Sequence, residues 1–360
     1  MKVWFAASIE ESSNGGVQRS MVQFSRFLQS EGIQVEIIYA SNKSGTNYLR
    51  FAVMLAIKYL KNLRNPPDWI IARSTDGVFC TVPIRLFSLK TKVALHNHGW
   101  EEKVYKIEKG LPREIVTNPT SWKSHLLRFP LLKANLRLAD VCICGTIEEA
   151  KWISDRYKFS AKKMRVIPNG IDVADKPHWP LQKNYPLNIL SVGGFTWKKN
   201  LEYSLQIFRK VLNKNPEAKF YMVGTGNIPS QRELLMDFCG ESLVIIKNES
   251  PGMMNRWYEH CPFVVSTSRY EGGHAFCILE AMARGCVVFA TGISSSKEII
   301  MNYHNGILLD GTDADADCSR IMKTSLDTQS IKEIGMAAWR YAKRNRIERQ
   351  ANRLKKVLLE

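Results

Sequence analysis

The chain has 360 residues, 45% of them hydrophobic, with a formal net charge of +17; that length and apolar content predict two domains, each with its own core. No apolar run approaches the roughly 20 residues of a membrane-spanning helix, and the cysteines and histidines form no Cys-x-x-Cys or metal-ligand pattern, which excludes a spanning protein and a cysteine-held metal site. Residues 1–180 carry 27 basic against 16 acidic side chains and residues 181–360 carry 24 against 18, so the excess of the first half favours an anionic partner: anionic lipid, a phosphorylated acceptor or, ranked third because no nucleic-acid motif accompanies the charge, nucleic acid.

Short β-branched runs alternate with helical-period segments throughout, the pattern of an α/β fold with parallel sheets. Strands are expected at Lys2–Ala7, Val35–Ala40, Trp69–Ala72, Val93–His96, Val141–Cys144 and Arg165–Pro168, and again at Asn188–Val192, Lys219–Val223, Leu243–Ile246, Phe263–Ser266, Val287–Ala290 and Ile307–Leu309. Val3–Ala7 is too short for a signal peptide's hydrophobic region, so a cytosolic protein with at most peripheral membrane contact is expected. After it, Ser13-Asn14-Gly15-Gly16-Val17-Gln18-Arg19 leads into a helix. Gly15 and Gly16 would let backbone N–H groups reach a phosphate or sugar, although an ordinary strand-to-helix turn explains them equally well. No G-x-G-x-x-G is present, which argues against a dehydrogenase.

His96-Asn97-His98-Gly99 ends the fourth strand, at the edge where open α/β sheets bind ligands. His98 is the candidate there, to hydrogen-bond a sugar or orient an acceptor, and is not assigned as a general base. His96 points to the opposite side or lies in the core. Lys123, Arg128, Lys133 and Arg137 recur among leucines; a core-facing amphipathic helix is the commoner explanation, and contact with an anionic membrane is the alternative. Cys142 and Cys144 read as reduced core residues. Asp172–Pro186 holds three prolines without periodicity and reads as the linker, giving domains at 1–172 and 173–339.

In the second half, Ser191-Val-Gly-Gly-Phe-Thr-Trp-Lys-Lys-Asn200 opens the first loop and helix, and Val223-Gly224-Thr-Gly-Asn227 follows the second strand. The most informative stretch is Ser268-Arg-Tyr-Glu271-Gly272-Gly273-His274-Ala275-Phe-Cys-Ile-Leu-Glu280, two carboxylates flanking a glycine-rich entry into a helix. Helix N-termini offer unpaired N–H groups and a positive dipole end to anions, a layout for a diphosphate. Ile331–Glu360 is charged and helical in composition.

These segments together resemble the retaining nucleotide-sugar glycosyltransferases of family 4, most strongly from Ile167 to Leu309. The resemblance implies the GT-B fold, two Rossmann-like domains facing each other across a cleft, with the terminal helix near 340–360 bracing the first. It assigns Glu271 to donor-sugar hydroxyls, Glu280 to the nucleotide ribose, and His98 to the neighbourhood of the reacting sugar. Gly15, Gly16, Gly194, Gly224, Gly272, Gly273, His274 and Ala275 would line the donor, and Ile167–Asp172 would be a hinge. This chain departs from the family pattern in three places. One extra residue separates the two acids, so a bulge is expected among Gly272, Gly273 and His274. Gly194 stands where the family has arginine, which leaves Lys199 to neutralise the diphosphate, assisted by Lys198 or Arg19. Cys286 replaces a usual proline.

The function implied is transfer from a UDP- or GDP-sugar to a glycan or lipid-linked acceptor, without metal or cofactor. A sugar-nucleotide epimerase or phosphorylase of similar architecture is the first rival, and a non-catalytic anion-binding module the second; paired acids and a hinge speak against the module.

Overall fold

Val3–Ala7 and Trp69–Ala72 are apolar at successive positions, as strands buried on both faces must be. The computed structural model describes residues 1–11, 15–40, 48–116, 120, 122–226, 242–247 and 249–360, the side chains of 122–125 and 251 excepted. Two units emerge: one of residues 1–112, 118–170 and 347–360, the other of 113–117 and 171–346.

In the first unit, β1 (Lys2–Ala7), β2 (Gln34–Tyr39), β3 (Trp69–Ala72), β4 (Lys92–His96), β5 (Val141–Cys144) and β6 (Met164–Val166) form a parallel sheet in the order β2-β1-β3-β4-β5-β6. Its helices are α1 (Gly16–Ser30), α2 (Tyr48–Lys61), α3 (Val78–Leu86), α4 (Glu101–Lys109), α5 (Trp122–Leu138) and α6 (Ile147–Tyr157). The second unit also has a six-stranded parallel sheet but connects its strands in a different order: β7 (Asn188–Val192), β8 (Lys219–Gly224), β9 (Leu243–Lys247), β10 (Phe263–Ser266), β11 (Val287–Thr291) and β12 (Ile307–Leu309) lie as β12-β11-β10-β7-β8-β9. Around them run α7 (Leu201–Lys214), α8 (Met254–His260), α9 (Phe276–Arg284), α10 (Ser294–Ile299), α11 (Ala314–Ser325) and α12 (Thr328–Arg344). Each strand expected from the sequence is present, with β2, β4 and β6 beginning one residue earlier than the pattern suggested.

The helical stretch after Ile331 is two helices, divided at Asn345-Arg346. α12 packs in the second unit, while α13 (Ile347–Leu359) belongs to the first, where Ala351, Leu354 and Leu358 join Phe24, Leu28 and Ile71 in one core cluster. Trp69 Nε1 donates to the Leu358 carbonyl at 2.9 Å. Gly170 is required beside α13, because a Cβ there would lie 2.4 Å from Ile347 Cα.

In the second unit Asp317, fully buried on α11, accepts from Tyr203 Oη at 2.7 Å, from the Asp310 and Gly311 N–H groups at 2.9 and 3.0 Å, and from Arg320 at 2.5 Å. In the first unit Glu149, near the start of α6, accepts from the Gly145 N–H at 3.3 Å. Burial pushes its carboxyl up to about 8. A raised carboxyl binds a proton in the folded chain that the unfolded chain releases, so its stabilising contribution is complete below the unfolded value of about 4.5 and is lost as pH rises through about 8. Glu149→Gln keeps an acceptor without the charge. Its urea midpoint should therefore fall less than the wild type's between pH 5 and 8 and exceed it at pH 8; parallel curves would show that Glu149 does not titrate this way.

Candidate functional site

In the second unit, the carboxyl ends of β7 and β10 bring two distant loops together. Thr267 Oγ1 donates to the Asn200 carbonyl at 2.9 Å, and the Arg269 N–H donates to the Lys198 carbonyl at 2.7 Å. Thr291 Oγ1 fastens the Ser268 carbonyl at 2.7 Å. So held, Lys199 Nζ lies 2.5 Å from Glu271 Oε1, which also accepts from Ser268 Oγ at 2.6 Å. Burial disfavours the Lys199 ammonium, but the Glu271 carboxylate, with Cys277 behind it, more than offsets this and holds the lysine above its ordinary range. The lysine is thus a fixed positive charge at every working pH. Lys198 turns elsewhere, 5.8 and 6.0 Å from the ring centroids of Trp197 and Tyr270.

Gly193 explains how Lys199 reaches this position. A Cβ on it would stand 2.8 Å from Lys199 Cε and 3.0 Å from Cδ, so the lysine stem lies along bare backbone. Gly224 meets a similar constraint, since its Cβ would fall 2.0 Å from the Gly193 carbonyl oxygen. Gly194 differs: its nearest neighbours, around Thr225, begin at 3.7 Å, so a side chain would fit there.

Beyond Glu271 the backbone bends over Gly272, Gly273 and His274, and α9 starts after Ala275 at its N-cap. No acidic side chain occupies the first turn of α9, so its positive end is not offset there. Glu280 sits further along α9 and accepts from Tyr258 Oη at 2.7 Å. His274 is buried, with Nε2 3.6 Å from a Glu298 oxygen. Burial raises the Cys277 thiol to about 11, which leaves it unreactive between the acids.

The first unit holds the other expected residues. Gly15 caps α1 in an extended conformation and Gly16 begins the helix, while Ser13 and Asn14 lie outside the described residues, as does Asn227 of the Val223 turn. His98 is half-buried after β4, its ring centroid 4.3 Å from that of His96. His96 is a core residue whose other face meets Phe24 at 5.8 Å, so the two histidines lie side by side rather than on opposite faces. Burial, then His96 and Arg73, pull His98 well below its ordinary value, and it is neutral at physiological pH.

On α5, Arg128 is not available to a bilayer: it pairs with Glu101 at 2.8 Å and lies 4.7 Å from the Tyr48 ring centroid. Lys133 and Arg137 are exposed, with Leu126 and Leu127 exposed on the same helix; the Lys123 side chain lies outside the described residues. Among the described residues no helix is long and apolar enough to cross a membrane.

Ser268, Gly193 and Tyr258 were not singled out from the sequence. Their importance comes from contacts with Glu271, Lys199 and Glu280, and only the doubled glycine at 193–194 left a local sign.

Comparison with known proteins covers both units. Residues 14–175 match the family described as Glycosyltransferase Family 4, and residues 186–326 match Glycosyl transferases group 1. An uncharacterised glycosyltransferase of Methanocaldococcus jannaschii is 30% identical over 162 residues, 40% of each chain. The chain spans 40% and 60% of the first two curated relatives it matches. Among solved structures, sucrose-phosphate synthase of Thermosynechococcus elongatus shares the fold with a TM-score of 0.79 at 15% identity, covering 99% of this chain and 98% of its own. Anabaena HepE, solved in complex with UDP-glucose, has a TM-score of 0.69 at 13% identity, with 99% of both chains covered.

Proposed function

We infer the function from the family to which the chain belongs, the group 1 and family 4 glycosyltransferases: it moves a sugar from a nucleotide diphosphate donor to an acceptor hydroxyl, retaining the anomeric configuration. The observation that carries this reading is the Lys199–Glu271 pair beside the open N-terminus of α9. A diphosphate placed there would meet a permanent ammonium and the positive end of the α9 dipole, Glu271 would take donor-sugar hydroxyls, and Glu280 would take the ribose.

Among the described residues the site has no separate carboxylate set as a nucleophile, which favours substitution on one face, with the leaving phosphate oxygen accepting the acceptor's proton. Lys199 and the α9 N–H groups then stabilise charge that grows as the bond to phosphate breaks. Neutral His98 can hydrogen-bond a sugar without competing for that proton. No metal enters this scheme. The presence of UDP-glucose on the HepE structure supports a UDP-sugar as donor, with a GDP-sugar as the alternative. The acceptor proposed is a growing surface glycan or a lipid-linked oligosaccharide. Peripheral contact with an anionic bilayer would use Lys133 and Arg137 with Leu126 and Leu127, each cation contributing about 1 kcal/mol.

A thermal-shift panel of UDP, GDP, ADP and their sugars tests the reading, because a ligand of the folded state raises the midpoint by mass action. One nucleotide should stand out, with or without excess EDTA. In Glu280→Ala its affinity should drop by on the order of 1.5 to 3 kcal/mol, as a ribose hydroxyl loses its charged acceptor. Unchanged affinity in a folded variant removes Glu280 from the site.

A further inference from the structure

The carboxyl end of β3 carries polar groups that the scheme above does not use. The chain leaves β3 through Arg73, Ser74, Thr75 and Asp76, with Ser74 at φ +50. A left-handed serine costs energy and persists only when its surroundings fix it. Here the Ser74 N–H donates to Asn97 Oδ1 at 3.1 Å, and its carbonyl accepts from Asn135 Nδ2 at 2.8 Å. Asp76, 1% exposed, is pinned by the Ser8 N–H, which donates to its Oδ2 at 2.7 Å.

What this clamped turn presents is unsatisfied. Asp76 Oδ1, Thr75 Oγ1, Arg73 Nε and, at the end of β4, His96 Nδ1 are all buried without a hydrogen-bond partner. β3 and β4 pair Ala72 with Leu95, which brings the residues that follow them side by side. Native structures leave few such atoms, so four at the ligand-binding edge of one sheet call for a partner that arrives. Their chemistry describes it. Asp76 can only accept as a carboxylate, Arg73 can only donate, and the threonine and histidine can do either. A run of acceptors and donors suits adjacent hydroxyl groups, each of which gives one hydrogen bond and takes another. The charges facing Asp76 are Arg73 and Arg128, and both are also balanced by Glu101, at 3.9 and 2.8 Å. That near-neutral balance favours a polyol over an anion.

We propose that Asp76, resting on the glycosyltransferase reading above, binds a hydroxyl of the acceptor through Oδ1 while Oδ2 remains on the Ser8 N–H, with Thr75 serving the neighbouring hydroxyl. Asp76 is thus an acceptor-binding residue supplied wholly by the first unit, apart from the donor groups of the second.

The probes are glycerol, myo-inositol and D-glucose, added to full-length enzyme with the nucleotide sugar selected by the thermal-shift panel; nucleotide release above the probe-free rate is measured. In Asp76→Asn, the half-saturating concentration of the best probe should rise roughly ten- to hundredfold, while the nucleotide-induced thermal shift stays at the wild-type value. Thr75→Val, which leaves the Ser8–Asp76 bond intact, should move half-saturation the same way and covers the case in which Asp76→Asn does not fold. An unchanged half-saturation in both variants would overturn the proposal and leave a resident water as the partner of Oδ1. So would a wild-type enzyme that releases nucleotide but is stimulated by none of the three polyols. If the wild type shows no nucleotide-induced shift at all, the donor site fails first, and this inference with it.

Discussion

Lys199→Ala should lower turnover by about two to three orders of magnitude, the usual cost of removing one preorganised group that meets charge developing in the transition state. The lysine is held charged by Glu271 and seated against Gly193, so the site offers a cation whose position is set before any donor arrives. Gly194 brings no second charge to the place where the family usually has arginine. The loss should therefore appear mainly in kcat, because the interaction strengthens as the sugar–phosphate bond breaks. Steady-state kinetics of Lys199→Ala and Lys198→Ala, with melting temperatures to establish folding, decide the matter. Turnover that survives in Lys199→Ala and collapses in Lys198→Ala would mean that the wrong lysine carries the charge.

The largest stability effect should come from a residue remote from the chemistry. Asp317→Ala should cost about 3 to 5 kcal/mol, as expected when one partner of a buried ionic network is removed and the others stay. Four donors now converge on that carboxylate: the Tyr203 hydroxyl, two backbone N–H groups and Arg320. Alanine would strand Tyr203 and the turn at Asp310-Gly311 together. Asp317→Asn, which retains an acceptor, should lose clearly less. Urea unfolding followed by circular dichroism measures both variants, and a loss below about 1 kcal/mol in Asp317→Ala would show that water replaces the carboxylate.

The strands were legible because parallel strands covered on both faces must be apolar at nearly every position, and their ends coincide with polar turns. Lys199, Glu271 and Glu280 could be proposed from residue type and family resemblance, and the structure brings Lys199 and Glu271 into contact. Ser268 and Tyr258 could not, since a serine three residues before a glutamate and a tyrosine in a short helix acquire meaning only through their contacts in the folded unit. Asp76 was hidden for another reason: Ser-Thr-Asp-Gly reads as an ordinary turn, and nothing local says that the aspartate is buried. The division between α12 and α13 carries no glycine or proline at Asn345-Arg346. What separates them is where each helix packs, which composition does not record.

The placement of α13 has a consequence during synthesis. Residues 1–170 leave the ribosome with Phe24 and Leu28 still lacking the helix that covers them, because Ala351, Leu354 and Leu358 are encoded after the whole of the other unit. At ordinary translation rates the intervening stretch takes roughly 10 to 35 s to make. Throughout that interval the nascent first unit offers an uncovered apolar strip on α1, a natural target for a chaperone that recognises unfinished domains. Stalling translation before residue 347 should prolong that engagement, whereas supplying residues 347–359 as a separate peptide should shorten it.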